Sequence, residues 1–237
     1  MNVLSEFKIN NSTSKQIENK YYSPFTDIVQ FLVERYKDSD NVLEIGPGYV
    51  PFPLATVSIG FNETIEKYIE IDIDNTPFPF EEKEFDFSYC RHVLEDIQNP
   101  DFAIKQFFKC SRQGYIETPS PLIEICRGVE SPDYCGYIHH RYIVWNDIDT
   151  VYFLPKYPIA ETATKNPFLI EIANNYPIYW NNYILWDKPM RTVIYRNGVN
   201  MEVRKDYANL LNRAISESIE STNRFASIMT KPSVNTN

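Results

Sequence analysis

The run Val42-Leu43-Glu44-Ile45-Gly46-Pro47-Gly48, followed by Ile69-Glu70-Ile71-Asp72-Ile73-Asp74, constrains this chain more than any other feature. It reads as a buried strand opening into a glycine turn, and then a second strand ending in acids. In an open parallel α/β sheet, small ligands bind beyond the carboxyl ends of the strands. Glycines there let backbone approach the ligand, and carboxylates catch sugar hydroxyls. A nucleoside-type ligand is the first expectation.

A dinucleotide site wants three glycines spaced GxGxxG and a helix amino terminus facing a pyrophosphate, but Gly46 and Gly48 are followed by Tyr49, Val50, Pro51, Phe52 and Pro53. The Gly-Lys-Ser/Thr ending of a triphosphate loop is also missing. What remains is a cofactor with ribose and adenine but no phosphates, a description that S-adenosylmethionine fits.

The segments Asp74-Asn75-Thr76-Pro77-Phe78-Pro79-Phe80, Phe85-Asp86-Phe87-Ser88-Tyr89, His92-Val93-Leu94-Glu95-Asp96-Ile97 and Asn99-Pro100 come next, in that order. The sequence resembles the class I S-adenosylmethionine-dependent methyltransferases, most closely their type 11-like group. The pattern of that group runs from an acid through a Leu-Pro-Phe-like turn, a Phe-Asp strand and a Val-Leu-Glu-His helix to Asp-Pro. Gly114-Tyr115-Ile116-Glu117-Thr118-Pro119-Ser120 resembles its fifth strand and following loop. The resemblance covers roughly residues 40 to 125. It implies a Rossmann-like open sheet, mostly parallel with an antiparallel closing strand, with helices on both faces and S-adenosylmethionine as cofactor.

Composition agrees. A chain of 237 residues with 43% hydrophobic content can fill one α/β core. A net charge of −9 and a pI near 4.9 argue against holding nucleic acid by general electrostatics and favour a small or neutral acceptor. The sequence has no apolar run approaching the roughly 20 residues that span a bilayer, and Met1 to Lys20 is polar, so a soluble cytoplasmic protein is expected. Cys90, Cys110, Cys126 and Cys135 form no CxxC pair and are expected as reduced thiols. Oligomeric state stays open.

Residues 1–40 read as an amino-terminal segment, loose over 1–15, with a packing helix over Asp27 to Tyr36. Residues 41–200 read as the α/β domain. Its expected elements are strand one over Asn41 to Ile45, a turn or short helix over Phe52 to Ala55, and a short strand over Thr56 to Ile59. Tyr68 to Ile73 is the second or third strand and Phe85 to Cys90 the fourth. A helix over Phe102 to Ser111 and a fifth strand over Gly114 to Glu117 follow. Residues of about 121–180 are crowded with Tyr, Pro, Trp and His and read as an aromatic-rich insert over the strand ends that chooses the acceptor. Tyr176 to Trp186 and Arg191 to Val199 are expected as closing antiparallel strands. Residues 201–237 read as a helix over Asp206 to Met229, its apolar face carrying Leu210, Leu211, Ile215, Ile219 and Phe225, and a tail over Lys231 to Asn237.

For the cofactor, Gly46, Pro47 and Gly48 are expected to bring backbone against its methionine part, or merely to form a tight turn. The resemblance implies that Glu44 meets the ammonium, the alternative being a cap on the following turn. It also implies that Asp74 accepts from the adenine amino group, with Ile73 beside it. The ribose acid is then Asp72 or Glu70, or its place near Ile59-Gly60 is vacant. The vacant place is preferred, because Phe61 to Lys67 leaves room for a shortened crossover. Val50 stands where the family pattern has a third glycine, and Asp96 stands where it has a histidine.

Methyl transfer needs an aligned nucleophile and, for a hydroxyl acceptor, a base. His139 and His140 are the candidates, and His92 sits at a strand end near the cofactor. The spacing of Cys126, Cys135, His139 and His140 matches no zinc knuckle, so no metal is expected. Glu95, Glu117 and Glu124 are candidates for the acceptor pocket, and Trp145 for stacking on a sugar. The expected activity is methyl transfer to a small molecule, possibly a sugar or nucleotide-sugar hydroxyl. The alternative is a methyltransferase-like binding or regulatory module that has lost turnover.

Overall fold

A computed structural model describes residues 26–48, 51–60, 68–162, 169–195 and 203–230. The expectations for residues 1–15, Val50, the Phe61 to Lys67 crossover and the Lys231 to Asn237 tail lie outside the described residues.

Six strands form the main sheet in the order β3-β2-β1-β4-β5-β8: β1 (Val42–Ile45), β2 (Val57–Gly60), β3 (Tyr68–Glu70), β4 (Phe85–Arg91), β5 (Ser111–Pro119) and β8 (Asn181–Trp186). All neighbours pair in parallel except β5 and β8, which are antiparallel. This is the Rossmann-like open sheet expected from the sequence. β2 is the strand over residues 57–60, so Tyr68–Glu70 is the third strand, and the expected run to Ile73 breaks off into a turn after Glu70.

Strand alternation sorts side chains to two cores. Leu43 and Ile45 of β1 face Ile104 and Phe107 of helix α2 (Pro100–Cys110). Val42, with Phe87, Tyr89 and Tyr115, faces Ile28 and Leu32 of α1 (Thr26–Tyr36) and Phe225 of α5 (Val203–Met229). Helices therefore cover both faces. α2 starts where Pro100 can do without its amide hydrogen, and its Asp101 and Lys109 suit the helix dipole at either end.

The aromatic-rich segment supplies a short helix, α3 (Pro121–Glu124), a hairpin of β6 (Tyr142–Asn146) and β7 (Thr150–Pro155), and α4 (Leu169–Asn175). Strand β9 (Arg191–Ile194) departs from expectation. It pairs in parallel with β7 in a separate three-stranded sheet and does not close the main one. The Arg191 guanidinium bonds the Asp149 carboxylate at 2.9 Å, and its amide bonds the Asp149 carbonyl at 2.8 Å, which holds it to the hairpin. Of the other expected closing strand, Pro177–Trp180 is a 3-10 turn and only Asn181–Trp186 is extended.

α5 crosses both sheets. The expected apolar residues Leu210, Leu211, Ile215, Ile219 and Phe225 all pack against the cores, and the buried stripe also holds Tyr207, Ala214 and the small polar residues Ser218, Ser221 and Thr222. Ser218 Oγ donates to Asn182 Oδ1 at 3.1 Å and Ser221 Oγ to Asn146 Oδ1 at 3.0 Å, which satisfies the buried hydroxyls. Trp145 is fully buried and donates to Glu217 at 2.8 Å, so it is part of the core rather than a stacking platform. Among the described residues, no helix is long and apolar enough to cross a membrane.

Candidate active site

The carboxyl ends of β1, β2 and β4 meet at two glycine turns. Gly46 has φ +66° and donates its amide to the Ile59 carbonyl at 2.8 Å. A Cβ placed on it would stand 2.2 Å from Val93 Cγ2, so the protein's own Val93 fills the space beside this glycine. Packing inside the protein is therefore enough to require a glycine here. Gly48 is different: a Cβ there meets nothing within 4 Å, and the residue is exposed. The open surface of the turn lies at Gly48, next to the buried Pro47.

Glu44 shares the β1 face with Val42 and is 2% exposed. Its Oε1 accepts from the Phe52 amide at 2.9 Å and its Oε2 from Ser58 Oγ at 3.2 Å. The carboxylate therefore caps the loop after β1, the alternative weighed from the sequence. Burial pushes its pKa up, and the two hydrogen bonds oppose that only in part.

Asp72 and Asp74 are not part of the strand that was expected to end in acids, since β3 stops at Glu70. They lie in the turn after β3, where Asp72 Oδ1 accepts from the Asp74 amide at 3.0 Å and Oδ2 from Asn75 Nδ2 at 3.0 Å. Asp74 Oδ1 accepts from the Asn99 amide at 2.7 Å, tying this turn to the start of α2. Ile73 points into the main core. β2 ends at Gly60, which approaches Gly46 so closely that a Cβ would lie 3.3 Å from the Gly46 Cα; among the described residues the strand itself ends on this glycine and not on an acid.

Beyond β4 the chain turns at His92, whose φ of +53° is a conformation few residues other than glycine adopt. Its amide donates to the Glu117 carbonyl at 2.9 Å. Its buried ring stands between two acids, with Nδ1 3.3 Å from Glu95 and Nε2 3.4 Å from Glu117. Glu117 also accepts from Arg91 Nε at 2.8 Å, from Asn181 Nδ2 at 2.7 Å and from the Tyr115 hydroxyl. Burial alone would raise the Glu117 pKa, but Arg91, His92 and Tyr115 together hold it down to about 2. Glu95 is 1% exposed, and neither of its carboxylate oxygens carries a hydrogen bond among the described residues.

A second acid–histidine group lies alongside. His140, its side chain fully buried, donates from Nδ1 to Glu124 Oε1 at 2.6 Å, and Glu124 Oε2 accepts from Lys156 Nζ at 2.6 Å. Burial opposes the charge on Glu124, yet His140 and Lys156 keep its pKa below the usual value. Lys156 also donates to the carbonyls of Cys135 and Tyr137. His140 Nε2 stands 3.9 Å from Asp96 Oδ1, and the exposed His139 packs edge-on against the His140 ring. The Glu95 carbonyl accepts from the Arg141 and Tyr142 amides, which brings the histidine pair to the end of β4. A cleft of about 430 Å³ opens beside it, bounded by Arg127, Cys135, Ile138, His140, Lys156 and Glu161.

The structure thus gathers His92, His139 and His140 with Glu95, Glu117 and Glu124, while Ile73 belongs to the core. Arg91 and Lys156 carry no motif in the sequence. Arg91 is legible only as a basic residue next to His92 at a strand end, and Lys156 reaches Glu124 across 32 positions of chain. Cys126 and Cys135 are buried thiols whose pKa values burial pushes up to about 12 and about 11.

Residues 17–142 match the family model for a methyltransferase domain. Similar solved structures include an S-adenosylmethionine-dependent methyltransferase from Mesorhizobium loti, 15% identical over 36% of this chain and 50% of its own, TM-score 0.29. Another, from Thermotoga maritima, is 16% identical over 40% of this chain and 51% of its own, TM-score 0.30. One from Archaeoglobus fulgidus is 13% identical over 68% of this chain and 94% of its own, TM-score 0.37. The chain spans about half the length of the first two. No curated protein matches it. The matched region includes the glycine turn, the His92 turn and the Glu117 strand end, and it is more than half of the chain: the protein belongs to the methyltransferase-domain family, with S-adenosylmethionine as its cofactor.

Proposed function

We propose that this protein transfers the methyl group of S-adenosylmethionine to a hydroxyl of a small molecule, a sugar or nucleotide sugar being the favoured class. The carrying observation is the conjunction of an open glycine turn at Gly48 with a buried Glu95 carboxylate that no hydrogen bond reaches among the described residues. Glu95, Asp96 and Glu117 bring three carboxyl groups to the ends of β4 and β5 against the Arg91 guanidinium, an acidic balance that suits a sulfonium cation. In this reading Gly46, Pro47 and Gly48 present backbone to the methionine part, and His92 supports the cofactor from the end of β4. The Asp72–Asp74 turn faces the nucleoside: Asp74 keeps one oxygen for the adenine amino group, while Asp72 serves the ribose with what its turn leaves free. Glu44 acts indirectly, by fixing the loop.

Bound S-adenosylmethionine supplies an electrophilic methyl group and a neutral thioether leaving group. The protein contributes alignment, which can supply much of the acceleration, and a route for the hydroxyl proton. His139 and His140 stand on the acceptor side, beside the cleft, and the aromatic-rich segment selects the acceptor. Four cysteines present as thiols support a cytoplasmic setting.

Gly60 favours the second reading, a binding module without turnover, because among the described residues β2 closes on a glycine where an acid would meet the ribose. Calorimetric titration with S-adenosylmethionine and S-adenosylhomocysteine tests both. Micromolar binding of each supports the cofactor class, after which methyl transfer to sugars and small hydroxylated acceptors separates the enzyme from a binding module; no binding at millimolar ligand makes the degenerate module the conclusion.

A further inference from the structure

Asp96, His139 and His140 come from two separated segments, yet each places one donor atom within 4.8 Å of the others. Asp96 lies just past the β4 end, and the histidines lie just before β6. The Arg141 and Tyr142 amides, bonded to the Glu95 carbonyl at 2.8 and 3.0 Å, hold the two segments together.

His140 decides what this cluster can do. Glu124 is acceptor-only when ionised, and Lys156 at 2.6 Å keeps it so. His140 Nδ1 must therefore carry the hydrogen in the 2.6 Å bond. In the neutral ring, the form that binds a metal, this leaves the lone pair on Nε2, which is fully buried, has no hydrogen-bond partner among the described residues, and lies on the side of Asp96. At 3.9 Å the pair is too long for a hydrogen bond, and Asp96 Oδ1 is likewise without one. A carboxylate fixing one imidazole nitrogen so that the other is free is the arrangement that supports a metal-bound histidine.

We propose that Asp96 and the two histidines bind a divalent first-row transition cation. Two imidazoles and one carboxylate suit such an ion better than magnesium or calcium, which prefer oxygen alone. Ligand bonds of about 2.0–2.2 Å require the donors to draw somewhat closer together. His139, its side chain 48% exposed, and Asp96, 35% exposed, have room to rotate, while His140 is the fixed anchor. Three protein ligands leave coordination positions open to a further ligand.

The role of the cation rests on the methyl-transfer reading; its binding does not. An acceptor hydroxyl bound at an open position becomes more acidic, as metal-bound water does. Its O–H bond breaks and the proton passes to solvent. The oxygen's electron pair then forms the new bond to the methyl carbon, while the C–S pair remains on sulfur.

The test is calorimetry and Mn²⁺ paramagnetic resonance on the full chain without cofactor, using Zn²⁺ and Mn²⁺ as probes. One equivalent is expected to bind, with Asp96→Asn and His139→Ala each weakening binding about tenfold or more while circular dichroism stays unchanged. Glu124→Gln is expected to weaken it about 10- to 100-fold through His140. Failure of the wild type to take up either ion overturns the proposal, as does undiminished binding in both surface variants. Cation uptake by a protein that binds no S-adenosylmethionine leaves this site standing and removes the methyl-transfer reading.

Discussion

Glu44 and Glu117 are both buried carboxylates near the ends of parallel strands two places apart, and the regions around them differ in kind. The loop after β1 meets its carboxylate only with neutral donors, the Phe52 amide and the Ser58 hydroxyl, and burial drives its pKa up. The β4–β5 end meets its carboxylate with Arg91 and His92 besides Tyr115 and Asn181, and the pKa falls to about 2. Burial is shared; the cations are not. The first acid works as a hydrogen-bonding brace that can do without its charge, whereas the second is a permanent negative charge in the wall of the site.

Replacing the acid by its amide sharpens this contrast. Glu117→Gln is expected to cost about 3–5 kcal/mol in urea unfolding at neutral pH, because it leaves the Arg91 charge buried without its partner. A loss below about 1 kcal/mol would break the comparison. Acid titration gives the next effect. Because the folded pKa of Glu117 is depressed, its contribution is complete above the unfolded value of 4.5 and disappears as pH falls toward about 2. That contribution is about 3 kcal/mol, visible as a wild-type advantage over Glu117→Gln at pH 6 that shrinks by pH 3. Glu44 has the opposite sign: its raised pKa makes stability decline as pH climbs from 4.5 through the folded value.

At the β1 turn itself, Gly46→Ala combines a left-handed φ with a methyl 2.2 Å from Val93 and is expected to lower stability by about 2–4 kcal/mol. Thermal melting would show it. Glu44→Gln should stay within about 1 kcal/mol of wild type at neutral pH, since an amide keeps partners for Phe52 and Ser58. The smallest stability effect belongs to Gly48→Ala, within about 0.5 kcal/mol, because nothing lies near the added methyl. The same substitution is expected to weaken S-adenosylmethionine about tenfold by calorimetry, and unchanged affinity would remove Gly48 from the cofactor site.

The parallel strands could be read from the chain because each is a short apolar run bounded by turn residues, and β1, β2, β4 and β5 fall where the sequence placed them within a few residues. Arg191–Ile194 was correctly read as extended but assigned to the wrong sheet. A strand's own residues do not name its neighbour, and the Asp149 anchor comes from a distant hairpin turn. The α5 face was read only in part for a related reason: Leu210, Leu211, Ile215, Ile219 and Phe225 pack as expected, but Ala214, Ser218 and Ser221 are also buried because they are small and find partners on β6 and β8, which a hydrophobic period does not register. His139 and His140 were legible as candidate chemistry, but Glu124, Lys156 and Asp96 became their neighbours only in space.

What the sequence determined by itself is local. It set the glycine turn after β1, the run of strands and helices, and the family pattern from Asp74 to Ser120, all of which depend on backbone freedom and side-chain period over a few residues. The tertiary structure decided which acids meet cations, which nitrogen of His140 faces Glu124, and that Val93 packs into the space beside Gly46. Those outcomes depend on burial and on charges brought within a few ångströms from distant parts of the chain, and electrostatic energy follows that distance rather than separation along the sequence.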